Sequence, residues 1–174
     1  MIRAVMLSLA VAAGAMPADA QTRGSDQAEF YRTTYQIISR MNGLCLNVEG
    51  GRLEADARLI MWNCQGVRNE RFYAQPITSD GRVGGGMRLI AGGAGGALCV
   101  EAPSAQGQQL RLARCRDDAP GQAWKFEARR ARPLISGDNL CANIEGARDA
   151  ERARVISWRC VGAINEGWIF NPVN

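Results

Sequence analysis

Residues Leu59 to Cys64 read LIMWNC, an alternation in which Leu59 and Met61 point one way and Ile60, Trp62 and Cys64 point the other. A period of two is the signature of a β-strand with two unlike faces. The same pattern returns near the end of the chain, where Val155 and Ser157 oppose Ile156, Trp158 and Cys160. Further strand candidates are YQIIS from Tyr35, MRLIA from Met87 and PLIS from Pro133, each leading a unit, and FYAQPI, WKFEA and WIFNP, each closing one. Four strands per unit and three units predict twelve strands in all, divided by glycine-rich stretches such as SDGRVGGG and AGGAGGA. Those glycine clusters lack the Gly-Lys-Ser/Thr ending of a phosphate-binding loop and are read as turns. No long segment carries a helical period.

The units are copies of one another. CLNVEGGRLEADARLIMWNC (Cys45 to Cys64) and CANIEGARDAERARVISWRC (Cys141 to Cys160) have equal length and match at half their positions. The shared residues include the Asn two places after the first Cys, a Glu-Gly pair, and the Trp two places before the second Cys. A shorter, more divergent copy, CVEAPSAQGQQLRLARC, runs from Cys99 to Cys115. Each block is followed by an acid or amide and, two places on, an aromatic: Glu70 and Phe72, Gln122 and Trp124, Glu166 and Trp168. A four-strand unit cannot bury its apolar face alone, whereas three units closed around a shared axis pool their inward residues and lose their free sheet edges. Residues 35–174 are therefore expected to form an all-β, pseudo-threefold barrel, with repeats at about 35–77, 87–128 and 132–171. Residues 21–34 read as a polar leader. The matched framing favours disulfides within repeats (Cys45–Cys64, Cys99–Cys115 and Cys141–Cys160) over cross-links between them.

Composition narrows the setting. Arg3, the apolar run Ala4–Ala15 and the small residues Ala18-Asp19-Ala20 predict a signal peptide, residues 1–20, cleaved after Ala20. The apolar run is too short to span a bilayer and no second run follows, so no membrane span is expected. Export to a secreted or periplasmic location suits six cysteines in three bridges. Histidine is absent, which removes Ser-His-Asp and Cys-His catalysis and His-ligated metal sites. No carboxylate pair stands out either, so neither catalysis, cofactor nor metal is expected. The net charge of +4 is mild, and the basic run Arg129-Arg130-Ala131-Arg132 has no interleaved aromatics, which argues against nucleic acid.

Three copies of Cys-x-polar-apolar, two of Trp-x-Cys, and a Gln-x-Trp at Gln122-Ala123-Trp124 resemble the ricin B-type lectin family across the mature domain. The resemblance implies a β-trefoil that binds galactose-type sugars in shallow pockets, at most one per repeat, with the chain taken up by one such module. It makes Phe72, Trp124 and Trp168 core aromatics. It assigns hydroxyl binding to the polar residue after the first Cys and to the Asn before the closing element, and ring stacking to the Trp before the second Cys. On this sequence those are Asn47, Trp62, Asn69 and Glu70 in the first repeat, and Asn143, Trp158, Asn165 and Glu166 in the third. The middle repeat offers Glu101, Ala113 and Gly121, without the ring or the Asn, and is expected not to bind. Asn47 and Asn143 replace the family's usual Asp, exchanging a charged acceptor for a neutral group that also donates. The partners implied are glycans on multivalent surfaces. The alternative is a protein-interaction trefoil, an accessory toxin subunit or a protease inhibitor, with vestigial sugar pockets.

Overall fold

The computed structural model describes residues 29–79, 82–126 and 133–173. The expected signal peptide, most of the leader and the run Arg129–Arg132 lie outside the described residues. Twelve strands are present among them. The first repeat holds β1 (Thr34–Ser39), β2 (Cys45–Val48), β3 (Leu59–Trp62) and β4 (Phe72–Ser79). The second holds β5 (Arg82–Ala91), β6 (Leu98–Glu101), β7 (Arg111–Arg114) and β8 (Trp124–Phe126). The third holds β9 (Leu134–Ser136), β10 (Leu140–Ile144), β11 (Val155–Arg159) and β12 (Trp168–Pro172).

Antiparallel pairing runs β1–β4–β5–β8–β9, β12 pairs β1, and a single bridge from Pro133 to Gly167 brings the third repeat back on itself. This closes a six-strand barrel. The hairpins β2–β3, β6–β7 and β10–β11 cap one end. They meet in a cycle of cross-repeat bridges, Arg58 with Arg111, Gln109 with Ile156, and Arg154 with Ile60. That cycle is the pseudo-threefold axis, and the whole is a β-trefoil. Each disulfide closes within one repeat, Cys45–Cys64, Cys99–Cys115 and Cys141–Cys160.

The core follows the alternation. Leu59 and Met61 face inward and are fully buried, as are Leu110, Leu112 and Val155 in the other hairpins. Phe72, Trp124 and Trp168 are 0% exposed at the start of β4, β8 and β12. The two indoles place their N–H on the carbonyls of Val100 (2.9 Å) and Ala142 (3.1 Å), so burial leaves no donor unmet.

Two sequence expectations change. The run SDGRVGGG, expected as a turn, is strand at each of its described residues: Ser79 ends β4 and from Arg82 it belongs to β5, which pairs with β4 in a long bulged hairpin. Glycine is needed there because a Cβ on Gly86 would lie 2.3 Å from the Trp124 carbonyl oxygen, at φ +114°. The end of the leader is also more than a polar tether. Phe30 packs against Tyr35, Phe126 and Phe170, with ring centres 5.2–5.8 Å apart. Arg32 and Ala74 join their backbones through a 2.7 Å bond. An aromatic side chain beside the mouth of an apolar barrel is stabilised by covering it.

Candidate functional site

Strand alternation puts two kinds of residue on each hairpin. In β2, Leu46 and Val48 enter the core, so Asn47 must face outward. Asn47 pairs with Ile60 and Cys45 with Trp62, so all four share the outer face. In β10 and β11 the equivalent pairs are Asn143 with Ile156 and Cys141 with Trp158. After each second Cys the chain makes a short 3-10 turn, Arg68–Glu70 or Ile164–Glu166. That turn brings Asn69 or Asn165 beside the strand asparagine.

The polar atoms then lock together. Asn69 Nδ2 donates to Asn47 Oδ1 (2.9 Å) and to the Val48 carbonyl (3.0 Å). Asn47 Nδ2 donates to Glu70 Oε1 (3.1 Å). Glu70 Oε2 accepts from Gln36 Nε2 (3.1 Å) and from the backbone N–H of Gln65 and Gly66 (both 2.8 Å). The third repeat reproduces this: Asn165 Nδ2 reaches Asn143 Oδ1 (2.9 Å) and Ile144 O (2.8 Å), and Asn143 Nδ2 reaches Glu166 Oε1 (3.3 Å). Glu166 also accepts from the N–H groups of Val161 and Gly162.

Only one orientation of each amide fits. A carboxylate accepts and cannot donate, so Asn47 must turn its nitrogen to Glu70 and its oxygen to Asn69. Both N–H bonds of Asn69 are spent, which leaves Asn69 Oδ1 as an acceptor facing the recess. Asn47 retains one N–H and one lone pair. Each recess therefore offers acceptors and a donor, fixed in place, beside an indole.

Glu70 and Glu166 correct a sequence expectation. Both are 0% exposed, beneath the asparagines and with their oxygens occupied. They hold the asparagines in place from behind and do not line the recesses. The middle repeat explains why Asn stands where Asp was expected. There Glu101 occupies the strand position and Gln122 the position behind it, with Gln122 Nε2 donating to Glu101 Oε2 (2.9 Å). Each repeat thus holds one carboxylate and one amide. In the first and third the carboxylate has moved to the buried partner, and the strand residue must then be the donor.

The three seats differ in what is open. Asn47, Trp62 and Asn69 line a recess of about 570 Å³ over the Glu49-Gly50 turn. Asn143, Trp158 and Asn165 line one of about 450 Å³ over Glu145-Gly146. Gly50 and Gly146 sit at φ 66° and 61°, the left-handed region that the Glu-Gly pair of both copies supplies. Trp158 is 38% exposed, whereas Trp62 is half-buried beneath the Arg152 guanidinium, 5.5 Å from the ring centre. In the middle repeat Arg111 (2.9 Å) and Arg116 (3.6 Å) close over Glu101, and Ala113 presents no ring. Arg152 was not visible as a site residue in the sequence. It lies in another repeat, 90 positions from Trp62, and its one signal is alignment with Gly107 of the shortened middle copy.

A closed trefoil carrying amide-and-indole recesses on its capping hairpins is the architecture of a carbohydrate-binding module. A family profile described as "Ricin-type beta-trefoil lectin domain" matches residues 86–174, just over half of the chain, and the chain belongs to that family. It is therefore a lectin-type, carbohydrate-binding protein. No curated protein sequence matches it. Among solved structures, the C-half of the earthworm R-type lectin in complex with GalNAc is 17% identical with a TM-score of 0.62, covering 81% of this chain and 99% of that one. The Macrolepiota procera ricin B-like lectin in complex with lactose is 15% identical with a TM-score of 0.63, covering 81% and 96%. A designed threefold-symmetric protein, ThreeFoil, is 18% identical with a TM-score of 0.65, covering 81% and 98%. At these identities the likeness speaks for the fold.

Proposed function

We propose that this protein is an exported, non-catalytic lectin whose first and third repeats each bind a galactose-type sugar and whose middle repeat does not. The observation that carries the reading is the open Trp158 ring beside an Asn143–Asn165 pair whose orientation is fixed from behind by buried Glu166. A pyranose needs both a flat apolar surface for its C–H face and rigid polar atoms for its hydroxyls. Three disulfides and the signal-like segment support an oxidising destination. Two structurally similar proteins were solved with GalNAc and with lactose, which supports the galactose class.

One such seat is weak. About a dozen heavy atoms at roughly 0.3 kcal/mol each give about 4 kcal/mol, a millimolar site. Two seats on one rigid body gain by avidity on a surface whose sugars match their spacing. The function that follows is attachment to multivalent glycans, not capture of free sugar. Glycan-array signal should fall to background when Trp62 and Trp158 are both changed to Ala in protein whose denaturation midpoint is preserved. Undiminished binding by that double variant, or binding to a protein partner that free sugar does not compete, would replace the lectin reading with the protein-interaction one.

A further inference from the structure

Each capping hairpin carries a residue in left-handed backbone eight places before its second Cys: Asp56 (φ 67°), Gly107 (φ 78°) and Arg152 (φ 64°). The three are equivalent. Each donates its N–H, at 2.8 Å, to the carbonyl just before the stacking position of a neighbouring repeat: Asp56 to Leu112, Gly107 to Ser157, and Arg152 to Met61. Every seat is thus completed by a side chain or backbone from another repeat. Gly107 gives Trp158 only bare backbone; even a Cβ there would stand 3.6 Å from the ring. Arg152 gives Trp62 a cation. An arginine in left-handed backbone is sterically disfavoured, and glycine serves the same turn in the middle copy.

The surroundings of Arg152 add a second observation. A recess of about 490 Å³ on the pseudo-threefold axis is lined by Arg58, Arg111, Arg152 and Arg154, with Glu49 and Asp56. It shares Glu49, Ile60 and Arg152 with the first-repeat recess and no residue with the third. Arg111 is engaged by Glu101 and Asp56, and Arg154 by Glu145. Among the described residues, exposed Arg58 and Arg152 have no ion-pair partner, and Glu49 is the one lining acid without one. Two guanidinium forks without an ion pair, against one carboxylate, favour an anion.

We propose that the first-repeat recess and the arginine recess beside it form one extended subsite for an acidic glycan, with a hexose against Trp62 and an oxyanion of the adjoining sugar, carboxylate or sulfate, held by Arg58 and Arg152. The third seat takes a neutral sugar. This rests on the lectin reading and specifies its ligand. A neutral sugar entering the first seat must displace the Arg152–Trp62 contact with nothing in exchange. An acidic one draws the guanidinium from the ring onto its own charge.

The test uses the indole N–H resonances of Trp62 and Trp158, assigned with W62F and W158F, in the disulfide-intact chain. The probes are lactose, lactose 3′-sulfate and 3′-sialyllactose, each at low and high salt. At low salt at least one acidic probe should bind at Trp62 roughly tenfold tighter than lactose, and added salt should erase the gain. R152G and R58Q should each lower that gain several-fold and leave the lactose titration at Trp158 unchanged. R58Q lies outside the turn, so it keeps the test open if R152G alters the hairpin. Which acidic probe wins distinguishes sulfate from carboxylate. Equal affinity of all three probes at Trp62, or a gain that survives both substitutions, overturns the extended subsite while leaving the lectin reading standing. No response at either indole overturns both.

Discussion

Changing Asn47 to Asp gives this protein the residue its family favours at that position, and it should damage the protein. Asn47 Nδ2 lies 3.1 Å from Glu70 Oε1, and Glu70 is 0% exposed. A second carboxylate there replaces a donor with a like charge. At an effective dielectric of about 20 the repulsion is about 5 kcal/mol, before the lost hydrogen bond is counted. The pair escapes by taking up a proton. Held on the introduced aspartic acid, whose ordinary value is about 3.9, that proton costs about 4.2 kcal/mol at pH 7 and about 1.5 kcal/mol at pH 5, so proton uptake sets the ceiling. The N47D variant should thus lose about 4 kcal/mol at neutral pH and recover most of it on acidification. This is the sign for a group whose folded pKa is raised, since its stability is lost as pH rises. E70Q alone turns an amide N–H toward the Asn47 N–H and should cost about 2 kcal/mol. Together the changes fit. The oxygen of the introduced glutamine keeps the donors of Gln36, Gln65 and Gly66, and its nitrogen donates to the introduced aspartate. The second oxygen of that aspartate keeps Asn69. Urea denaturation of the four proteins at both pH values measures the cycle. Additive losses, or an N47D cost under about 1 kcal/mol at pH 7, would refute the complementary carboxylate–amide logic.

Two further outcomes follow from the same structure. Burial pushes the Glu101 carboxyl up, but hydrogen bonds from Arg111 and Gln122 and the charges of Arg111 and Arg116 outweigh it, and its pKa lies below the ordinary value. The stability it supplies is complete above about pH 4.3 and is lost as pH falls through the lower folded value. E101Q should therefore flatten the fall of the urea midpoint with acidification over that window, and an unchanged slope would remove Glu101 as its cause. Gly86→Ala drives a Cβ to 2.3 Å from the Trp124 carbonyl and should cost about 3 kcal/mol or more, whereas Gly43→Ala, with φ +74° and nothing within 4 Å, should cost only about 1 kcal/mol. Thermal melts of the two variants should differ by well over about 5 °C.

The barrel was legible because its cause is local. Leu59 and Met61 alternate with Ile60 and Trp62 within one strand, and the cysteines repeat that frame three times. The site was half legible. Asn47, Trp62 and Asn69 could be placed by their distance from a cysteine, but nothing local says that Glu70 is buried. Its environment is built by Gln36, on the neighbouring strand β1, and by backbone N–H groups that converge only after the 3-10 turn forms. The replacement of Asp by Asn reads as a loss of charge when each position is taken singly. It is a transfer of charge once Asn47 and Glu70 are seen to touch. The start of β5 escapes sequence reasoning for a related reason: glycines at 84–86 signal a turn by composition, while the ladder opposite β4 and the close approach of Trp124 use them as strand.

The cyclic turn contacts bear on how such a repeat protein can diversify. If each seat were built from its own repeat alone, a change in one copy would alter one specificity and nothing else. Here the residue facing Trp62 belongs to the third repeat, the one facing Trp158 to the second, and the one facing Ala113 to the first. A substitution at a turn leaves its own Asn–Glu pair untouched and changes the seat next door. The first and third copies can therefore keep matching asparagines and indoles while their recesses differ, one closed by a guanidinium and one open. The close match of the two copies in sequence is in this way compatible with two unlike seats, and the residue that decides between them is contributed from across the symmetry axis.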